Sequence, residues 1–217
     1  MLLFNPIFKF IISLFISIIL VSIINHNLEQ QIQSIFINMF PTILSEGCNG
    51  TIGEIIKFSN GKKRPETKGN IPVYGGNGIL AYTDKANNEN CIVIGRVGAY
   101  CGSTYLSTSS CWISDNAIVG KSINTQSQLF SFYLLKNAAL PTRHIGTSQP
   151  LLTQSILSAI PCKIIEVSKI QEFNNLCTPI QLMIDANDTE NTALAIVRES
   201  LLPQLMSGNI TLDNAIF

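Results

Sequence analysis

The sequence contains few charged residues and no surplus of either sign. Asp, Glu, Lys and Arg make up only 13% of the 217 residues, and 14 basic residues balance 14 acidic ones. This argues against strong non-specific binding of nucleic acid through the total charge of the protein, so any DNA contact must come from a local basic patch. Hydrophobic residues make up 46% of the chain, which argues against disorder and allows a full core in one or two domains.

The sequence also lacks the patterns that metals, cofactors and catalytic centres require. The six cysteines form no C-x-x-C pair, and only two histidines could join them as metal ligands. Neither nucleotide-binding loop, Gly-x-x-x-x-Gly-Lys-Ser/Thr or Gly-x-Gly-x-x-Gly, is present. No Ser-His-Asp order or carboxylate pair points to catalysis. We therefore expect no metal, no cofactor and no catalytic residue, and we expect reduced, mostly buried thiols in a cytoplasmic chain.

Charge is unevenly distributed along the chain. The segment Gly47 to Glu166 holds 11 Lys and Arg against 6 Asp and Glu, a net charge of +5. The remaining residues hold 3 against 8, a net charge of −5. The middle of the chain is therefore suited to a polyanion, and the flanking parts are suited to a protein partner.

The N-terminal run from Ile7 to Ile24 is long and apolar enough for a membrane span. A signal peptide fits poorly, since no small-x-small cleavage site follows the run. Lys9 is the only basic residue before Lys57, so a membrane span would export the basic middle. A third interpretation is a coiled-coil helix, whose seam would comprise Phe4, Ile7, Ile11, Leu14, Ile18, Val21, Asn25, Leu28, Ile32, Ile35 and Met39. We expect a helix from about Asn25 to Phe40, ended by Pro41.

The same spacing recurs near the C-terminus and predicts a second long helix. Its seam comprises Ile170, Phe173, Cys177, Ile180, Ile184, Asn187, Asn191, Leu194, Arg198, Leu201 and Leu205. The polar seam residues either fix the register or lie exposed at a loose helix end. Pro179 should kink this helix and Gly208 should end it. An offset of 166 residues places Asn25 on Asn191 and Leu28 on Leu194, which suggests that one helix was duplicated on either side of one module.

Between the helical segments, short β-type runs alternate with turn residues. They are Ile71 to Tyr74, Ile79 to Tyr82, Cys91 to Ile94, Ser103 to Leu106 and Ala117 to Val119. The run Gly75 to Gly78 predicts a tight turn. We expect two helices in this part, at about Thr125 to Asn137 and Thr153 to Ala159. The middle is thus predicted to be a compact α+β module of roughly 120 residues, a usual domain size.

A strip of basic residues around Gly61 is a candidate for phosphate contacts. It comprises Lys57, Lys62, Lys63, Arg64 and Lys68, opposed only by Glu66. The alternative is a solvated loop, the usual fate of a charge run.

Arg96 follows a β-type run and stands between Gly95 and Gly98. Glycines let the backbone approach a ligand closely, and arginine can grip a guanine edge or a phosphate with two hydrogen bonds. The alternative is a β-turn whose arginine pairs with an acid such as Asp115.

The segment Thr147 to Pro150, preceded by Arg143, offers hydroxyl and amide donors in a loop. Its Gln149 is of the type that pairs with adenine. The alternative is structural, with Thr153 capping the following helix.

Five motifs in order give the chain a family resemblance. They are Ile71 to Gly78, Ile94 to Gly98, Trp112 to Ala117, Gly146 to Pro150 and Arg198 to Gly208. Together they resemble the specificity (S) subunit of type I restriction-modification systems, over about Ile24 to Leu212. Members of that family usually carry two target-recognition domains that alternate with two long helices. The helices pair as an antiparallel coiled coil and act as a ruler between the halves of a bipartite DNA site.

The resemblance implies one globular α/β recognition domain flanked by coiled-coil spacer helices. The expected divisions are 1–23, an apolar segment of uncertain status; 24–46, the end of the first spacer helix; 47–166, the recognition domain; 167–212, the second spacer helix; and 213–217, a tail. A first recognition domain is missing, so the chain looks like a half subunit. The expected DNA-contacting residues are the basic strip together with Tyr74, Asn77, Arg96, Tyr100, Arg143, Ser148 and Gln149.

The resemblance also implies partners: double-stranded DNA, a methyltransferase (modification) subunit, a motor/endonuclease (restriction) subunit and a second copy bound through the spacer helices. Catalysis would lie in the partner subunits. Two alternatives are a membrane-tethered interaction module and an inactive truncated remnant of a specificity subunit.

Overall fold

A computed structural model of the chain describes residues 6–45, 47–123, 128–146 and 149–207. Within these residues the helices are α1 (Pro6–Met39), α2 (Gln128–Lys136), α3 (Gln154–Ser158) and α4 (Val167–Met206). The strands are β1 (Gly50–Thr51), β2 (Ile56–Asn60), β3 (Ile71–Gly75), β4 (Gly78–Thr83), β5 (Cys91–Gly95), β6 (Thr104–Ser107), β7 (Trp112–Ile113), β8 (Ala117–Ser122) and β9 (Pro161–Cys162). The chain divides into a helical unit, Met1–Ser34 with Cys177–Phe217, and a central unit, Ile35–Leu176.

Helix α1 extends farther toward the N-terminus than the segment expected to be helical, and helix α4 covers the whole of its predicted seam. Helix α1 begins at Pro6 rather than near Asn25, because neither Gly nor Pro interrupts the chain before Pro41 and Pro is well tolerated in a first helical turn. Helix α4 continues through Pro179 and ends at Met206, two residues before Gly208.

The helical unit is an antiparallel pair of helices joined through polar side chains at the predicted seam. Asn25, only 7% exposed, donates from Nδ2 to Oδ1 of Asp188 at 2.7 Å. Its Oδ1 accepts from Nδ2 of Asn187, also at 2.7 Å. Three residues earlier on α1, the hydroxyl of Ser22 accepts from Nδ2 of Asn191 at 3.5 Å. The seam asparagines therefore pair with one another and do not lie at a loose helix end.

The contacts of this seam agree with the predicted duplication. With the 166-residue offset, Asn25 corresponds to Asn191 and Ser22 corresponds to Asp188. The hydrogen-bonded pair Asn25–Asp188 therefore corresponds to the pair Asn191–Ser22, which is also hydrogen-bonded. The same antiparallel register places the guanidinium of Arg198 over the ring of Phe15, 5.2 Å from its centroid. The helix pair thus has an approximate twofold relation within itself.

One described stretch, Ile12–Met39, is long and apolar enough to cross a bilayer by length and composition. Large apolar side chains along its first half are exposed, among them Ile16, Ile19 and Leu20. This stretch also contains the polar Ser22 and Asn25, which bond to α4. Length and composition do not by themselves establish a membrane span.

The central unit is built on two β-sheets, one antiparallel and one mixed. A four-stranded sheet has the order β2-β8-β5-β6, and a three-stranded sheet has the order β4-β3-β7, in which β7 pairs with β3 in parallel. Strands β1 and β9 form a separate pair. The five predicted β-type runs are confirmed as β3, β4, β5, β6 and β8. Strand β2 was missed, because its alternation of buried and exposed residues covers only five positions and includes Lys57.

The two sheets share an apolar core. It contains Cys91 and Val93 of β5, Ala117 and Val119 of β8, and the neighbouring Cys111 and Ile113, with Tyr74 and Tyr105 packed against it. Helices α2 and α3 contact the four-stranded sheet. The predicted helices are thus present, and residues 124–127, where the first was expected to begin, lie outside the described part.

An aromatic cluster closes the helical side of the central unit. Phe36 is 1% exposed, and its ring lies 5.2 Å from Phe40, 5.8 Å from Phe130, 5.7 Å from Phe173 and 6.2 Å from Tyr133 between centroids. The end of α1 and the start of α4 are therefore part of this compact unit. The mixed α+β class expected from the sequence is confirmed.

Candidate nucleic-acid interface

The connection between β7 and β8 positions several candidate DNA-contacting segments. The amide of Ser114 donates to the carbonyl oxygen of Tyr74 at 2.9 Å, which fixes the end of β3. The amide of Lys62 donates to the carbonyl oxygen of Ile113 at 2.9 Å. The Trp112 to Ala117 motif is therefore a structural scaffold that joins the basic strip to the β3–β4 turn.

Arg96 is held at the same place by its backbone. Its amide donates to the carbonyl oxygen of Asn116 at 3.0 Å, and its carbonyl oxygen accepts from the amide of Leu152 at 2.9 Å. Its side chain is half-buried, and the buried Nε has no hydrogen-bond partner in the described part of the chain. An unsatisfied buried guanidinium N–H costs free energy. Pairing with Asp115, the structural alternative, is not observed.

The loop that contains Gln149 lies beside Arg96. The amide of Gly98 donates to the carbonyl oxygen of Pro150 at 3.0 Å, and Val97 forms a β-bridge with Leu151. Gln149 is exposed at the tip of this loop. Thr153 caps α3 by accepting from the amide of Ile156 at 3.2 Å, as the structural alternative predicted. The cap leaves the side chain of Gln149 available.

The β3–β4 turn packs on the other side of Arg96. The hydroxyl of Ser103 donates to the carbonyl oxygen of Gly76. A Cβ at position 76 would lie 3.5 Å from the Cα of Gly95 and 3.6 Å from the Cβ of Tyr100, so these backbones approach closely. Asn77 follows in the turn and is exposed, and the side chain of Tyr100 is 51% exposed.

Backbone contacts thus bring together residues that are far apart in sequence. We call residues 74–77, 96–100, 116 and 149–150 the loop cluster. It contains five of the twelve predicted contact residues: Tyr74, Asn77, Arg96, Tyr100 and Gln149.

The structure divides the predicted basic strip instead of keeping it in one loop. Lys57 lies on β2, directly opposite Lys121 of β8. Lys62 bridges to Ser114. Farther along, Arg64 and Lys68 line an open cavity of about 580 Å³ beside Tyr82. Lys63, which precedes Arg64, is exposed. The cavity also contains Glu66, so its charge is mixed.

The remaining predicted residues are Arg143 and Ser148. Arg143 donates from Nε to the carbonyl oxygen of Ala138 at 2.6 Å, which ties its side chain to the turn after α2. Ser148 lies outside the described residues, as does Thr147.

One carboxyl that is hydrogen-bonded to the segment of the basic strip, that of Asp84, has a shifted pKa. The hydroxyl of Thr67 donates to Asp84 at 2.5 Å, and this bond lowers the pKa of the Asp84 carboxyl. Among the described residues, no carboxylate lies within 4.0 Å of the basic groups of Lys57, Lys121 or Arg96. In the same part of the chain, no group of His, Cys, Asp and Glu could hold a metal ion.

Sequence reasoning missed Asn116, Ser103 and Lys121. Asn116 and Ser103 act through a backbone carbonyl and a hydroxyl that hold other loops, and nothing in a sequence distinguishes such residues from ordinary turn residues. Lys121 lies two residues beyond the predicted run Ala117 to Val119, and its partner Lys57 belongs to the strand that the sequence did not predict.

Comparisons with known proteins agree with this architecture. The specificity subunit of the type I restriction enzyme EcoprrI from Escherichia coli is 32% identical over 83 residues, which cover 34% of this chain and 21% of that protein. The crystal structure of a type I restriction-modification system S subunit from M. genitalium matches with a TM-score of 0.65 at 16% identity. That match covers 92% of this chain and 59% of the other, and at this identity it shows the fold alone.

The chain therefore spans about a fifth of the curated relative and about three fifths of the structural one. The family of the type I restriction modification DNA specificity domain matches residues 45–172, a range that includes the whole loop cluster. Because this match covers more than half of the chain, the protein belongs to the type I restriction-modification DNA specificity family.

Proposed function

We propose that this chain is a DNA sequence-recognition subunit of a type I restriction-modification complex, in which residues 47–166 recognise one half of a bipartite site. The observation that carries the proposal is the loop cluster, in which backbone and side-chain hydrogen bonds bring Arg96 together with the exposed Asn77, Tyr100 and Gln149. Family membership supports the same function.

Arg96 is the proposed base-reading residue. A guanidinium forms two parallel hydrogen bonds with O6 and N7 of guanine in the major groove, and among the described residues no carboxylate lies within 4.0 Å to compete for the guanidinium of Arg96. Gly98 has φ +73°, and a Cβ at this position would meet no atom of the described residues within 4 Å. The backbone beside Arg96 is therefore open for a duplex to approach.

The other exposed members of the loop cluster supply complementary chemistry. Asn77 and Gln149 carry amides, which pair with adenine through N6 and N7. Tyr74 and Tyr100 offer hydroxyls and ring surface beside Arg96. Within the same proposal, the residues that contact phosphates are Lys57, Lys62, Lys63, Arg64, Lys68, Arg143 and Ser148, which position the domain without reading sequence.

The helices are proposed to dock the partner subunits and to set the spacing between half-sites. Residues 24–46 and 167–212 would form the spacer, and the acidic balance outside residues 47–166, 8 acidic against 3 basic residues, suits protein partners better than DNA. These partners would be the methyltransferase subunit, the motor/endonuclease subunit and a second copy of the chain. The chain itself would be non-catalytic and cytoplasmic.

Binding to duplex DNA in the presence of the methyltransferase subunit tests this function. We expect one sequence to be bound more tightly than unrelated duplexes, with an affinity that falls steeply as salt increases. Arg96→Met should remove base discrimination at one position, at a cost of about 1 to 3 kcal/mol. The matched control is Lys136→Met, because Lys136 lies over the rings of Phe132 and Tyr133 on α2.

Equal binding to all duplexes by the wild-type complex would overturn the recognition function. An unchanged preference in Arg96→Met, with the wild type still selective, would remove Arg96 from the base-reading role and leave the subunit function in place.

A further inference from the structure

The four-stranded sheet carries two lysines that face each other at its edge. The β2–β8 register places Lys57 directly opposite Lys121, and both side chains are exposed. Strand β2 is the outer strand of this sheet. Directly opposed residues of an antiparallel pair have Cβ atoms roughly 5 Å apart, so the two ammonium groups share one small patch.

This arrangement is electrostatically unfavourable for the folded chain. Like charges placed directly opposite each other destabilise a strand pair. Among the described residues, neither lysine has a carboxylate within 4.0 Å that would offset the repulsion. An external anion would supply the missing charge.

The pair lies near the far end of β8 from the residue that holds Arg96. Lys121 lies five residues beyond Asn116, and Asn116 bonds to the backbone of Arg96 just before β8 begins. At a rise of about 3.3 Å per residue, Asn116 and Lys121 are separated by about 16 to 17 Å along the strand. The major groove of B-DNA is about 12 Å wide. A base-reading group in the groove and a phosphate-binding group at its rim would be separated by a distance of this order.

We propose that Lys57 and Lys121 form a phosphate-binding pair that holds the DNA backbone at the rim of the groove read by the loop cluster. This inference rests on the proposed function and adds a contact surface outside the Lys62 to Lys68 segment. Lys57 was expected to act as part of that segment, whereas here it acts with Lys121. Because phosphate contacts carry no sequence information, the pair positions the domain and adds affinity for every duplex equally.

The test is the salt dependence of DNA binding by the Lys57→Gln/Lys121→Gln double variant in the complex with the methyltransferase subunit. Each lost phosphate contact makes the negative slope of log K against log salt shallower by about 0.9. For two lost contacts we therefore expect a slope that is shallower by about 1.8. The loss should be equal for the preferred and for unrelated duplexes. The control is Lys136→Gln/Lys163→Gln, which changes net charge equally at lysines engaged with aromatic rings and with Thr42, and its slope should stay near that of the wild type.

Thermal unfolding of the same double variant provides the second readout. Removal of the repulsion should leave the midpoint unchanged or raise it while DNA affinity falls. A lowered midpoint would identify the lysines as structural and overturn the proposal. So would a wild-type slope in a folded double variant whose parent binds DNA. Failure of the wild-type complex to bind any duplex would overturn both the proposed phosphate-binding role of the pair and the proposed function. An unchanged slope in the double variant would overturn the role of the pair alone.

Discussion

Replacement of Phe36 by Ala should destabilise the central unit more than most single substitutions. Phe36 belongs to α1, yet its ring is 1% exposed and packs among Phe40, Phe130, Tyr133 and Phe173. The substitution removes buried apolar surface and leaves a cavity, and it also removes the ring contacts.

The expected magnitude follows from this environment. Phe to Ala substitutions in cores cost about 3 to 5 kcal/mol, and four neighbouring rings place Phe36 in the upper part of that range. For a unit of this size, 1 kcal/mol shifts the unfolding midpoint by about 4 °C. We therefore expect the midpoint of Phe36→Ala to fall by about 16 to 20 °C.

The assay is thermal unfolding followed by circular dichroism, with urea titration to give the free energy of unfolding. Ile37→Ala is the matched control, because Ile37 is the next residue of α1 and is 49% exposed. It should cost about 1 kcal/mol or less. Equal effects of the two substitutions would refute the conclusion that the end of α1 is part of the core of the central unit.

Three further predictions concern other parts of the chain. A Cβ at Gly61 would overlap the backbone between β7 and β8, so Gly61→Ala should lower the unfolding midpoint and weaken DNA binding together; a change in neither would contradict the close approach. Burial raises the pKa of the Asp188 carboxyl despite its bond from Asn25, so this group costs stability when ionised and the cost disappears as pH falls through the raised pKa. Asp188→Asn keeps an acceptor for Asn25, so its urea midpoint at pH 7 should be higher than that of the wild type. This difference should vanish below about pH 4. A difference that grows at acidic pH would contradict the conclusion that the ionised carboxylate costs stability. Burial raises the pKa of the Cys177 thiol to about 11, so this thiol should react slowly with iodoacetamide at pH 8. Peptide mass spectrometry should show that the half-buried Cys48 is labelled first and that Cys177 is labelled only in urea.

Local patterns accounted for most of the secondary structure. The strands β3, β4, β5, β6 and β8 follow from short β-branched and aromatic runs bounded by turn residues. The seam of the helical unit follows from heptad spacing, and its asparagines are hydrogen-bonded across the helix pair, one of the two alternatives that the spacing left open. Errors occurred where the pattern was short, as in β2, or where an apolar run had more than one interpretation, as at the start of α1.

The candidate site was predicted as separate motifs and not as a surface. Arg96, Asn77 and Gln149 were chosen for their chemistry and their glycine neighbours. Their proximity depends on backbone bonds made by Asn116, Gly98 and Ser103, and such bonds join residues that no short-range pattern relates. The basic strip was treated as one loop because its lysines are close in sequence, whereas β2 moves Lys57 to the edge of a sheet.

By itself, the sequence determined the helices, most of the strands, the charge partition and the family, because these depend on the spacing and identity of neighbouring residues. Only the tertiary structure decided which charged groups meet. Lys57 and Lys121 are 64 positions apart in the chain, and they face each other because two strands pair in one register. Strand pairing is set by the burial of whole faces. The position of an exposed charge is therefore a consequence of the core beneath it.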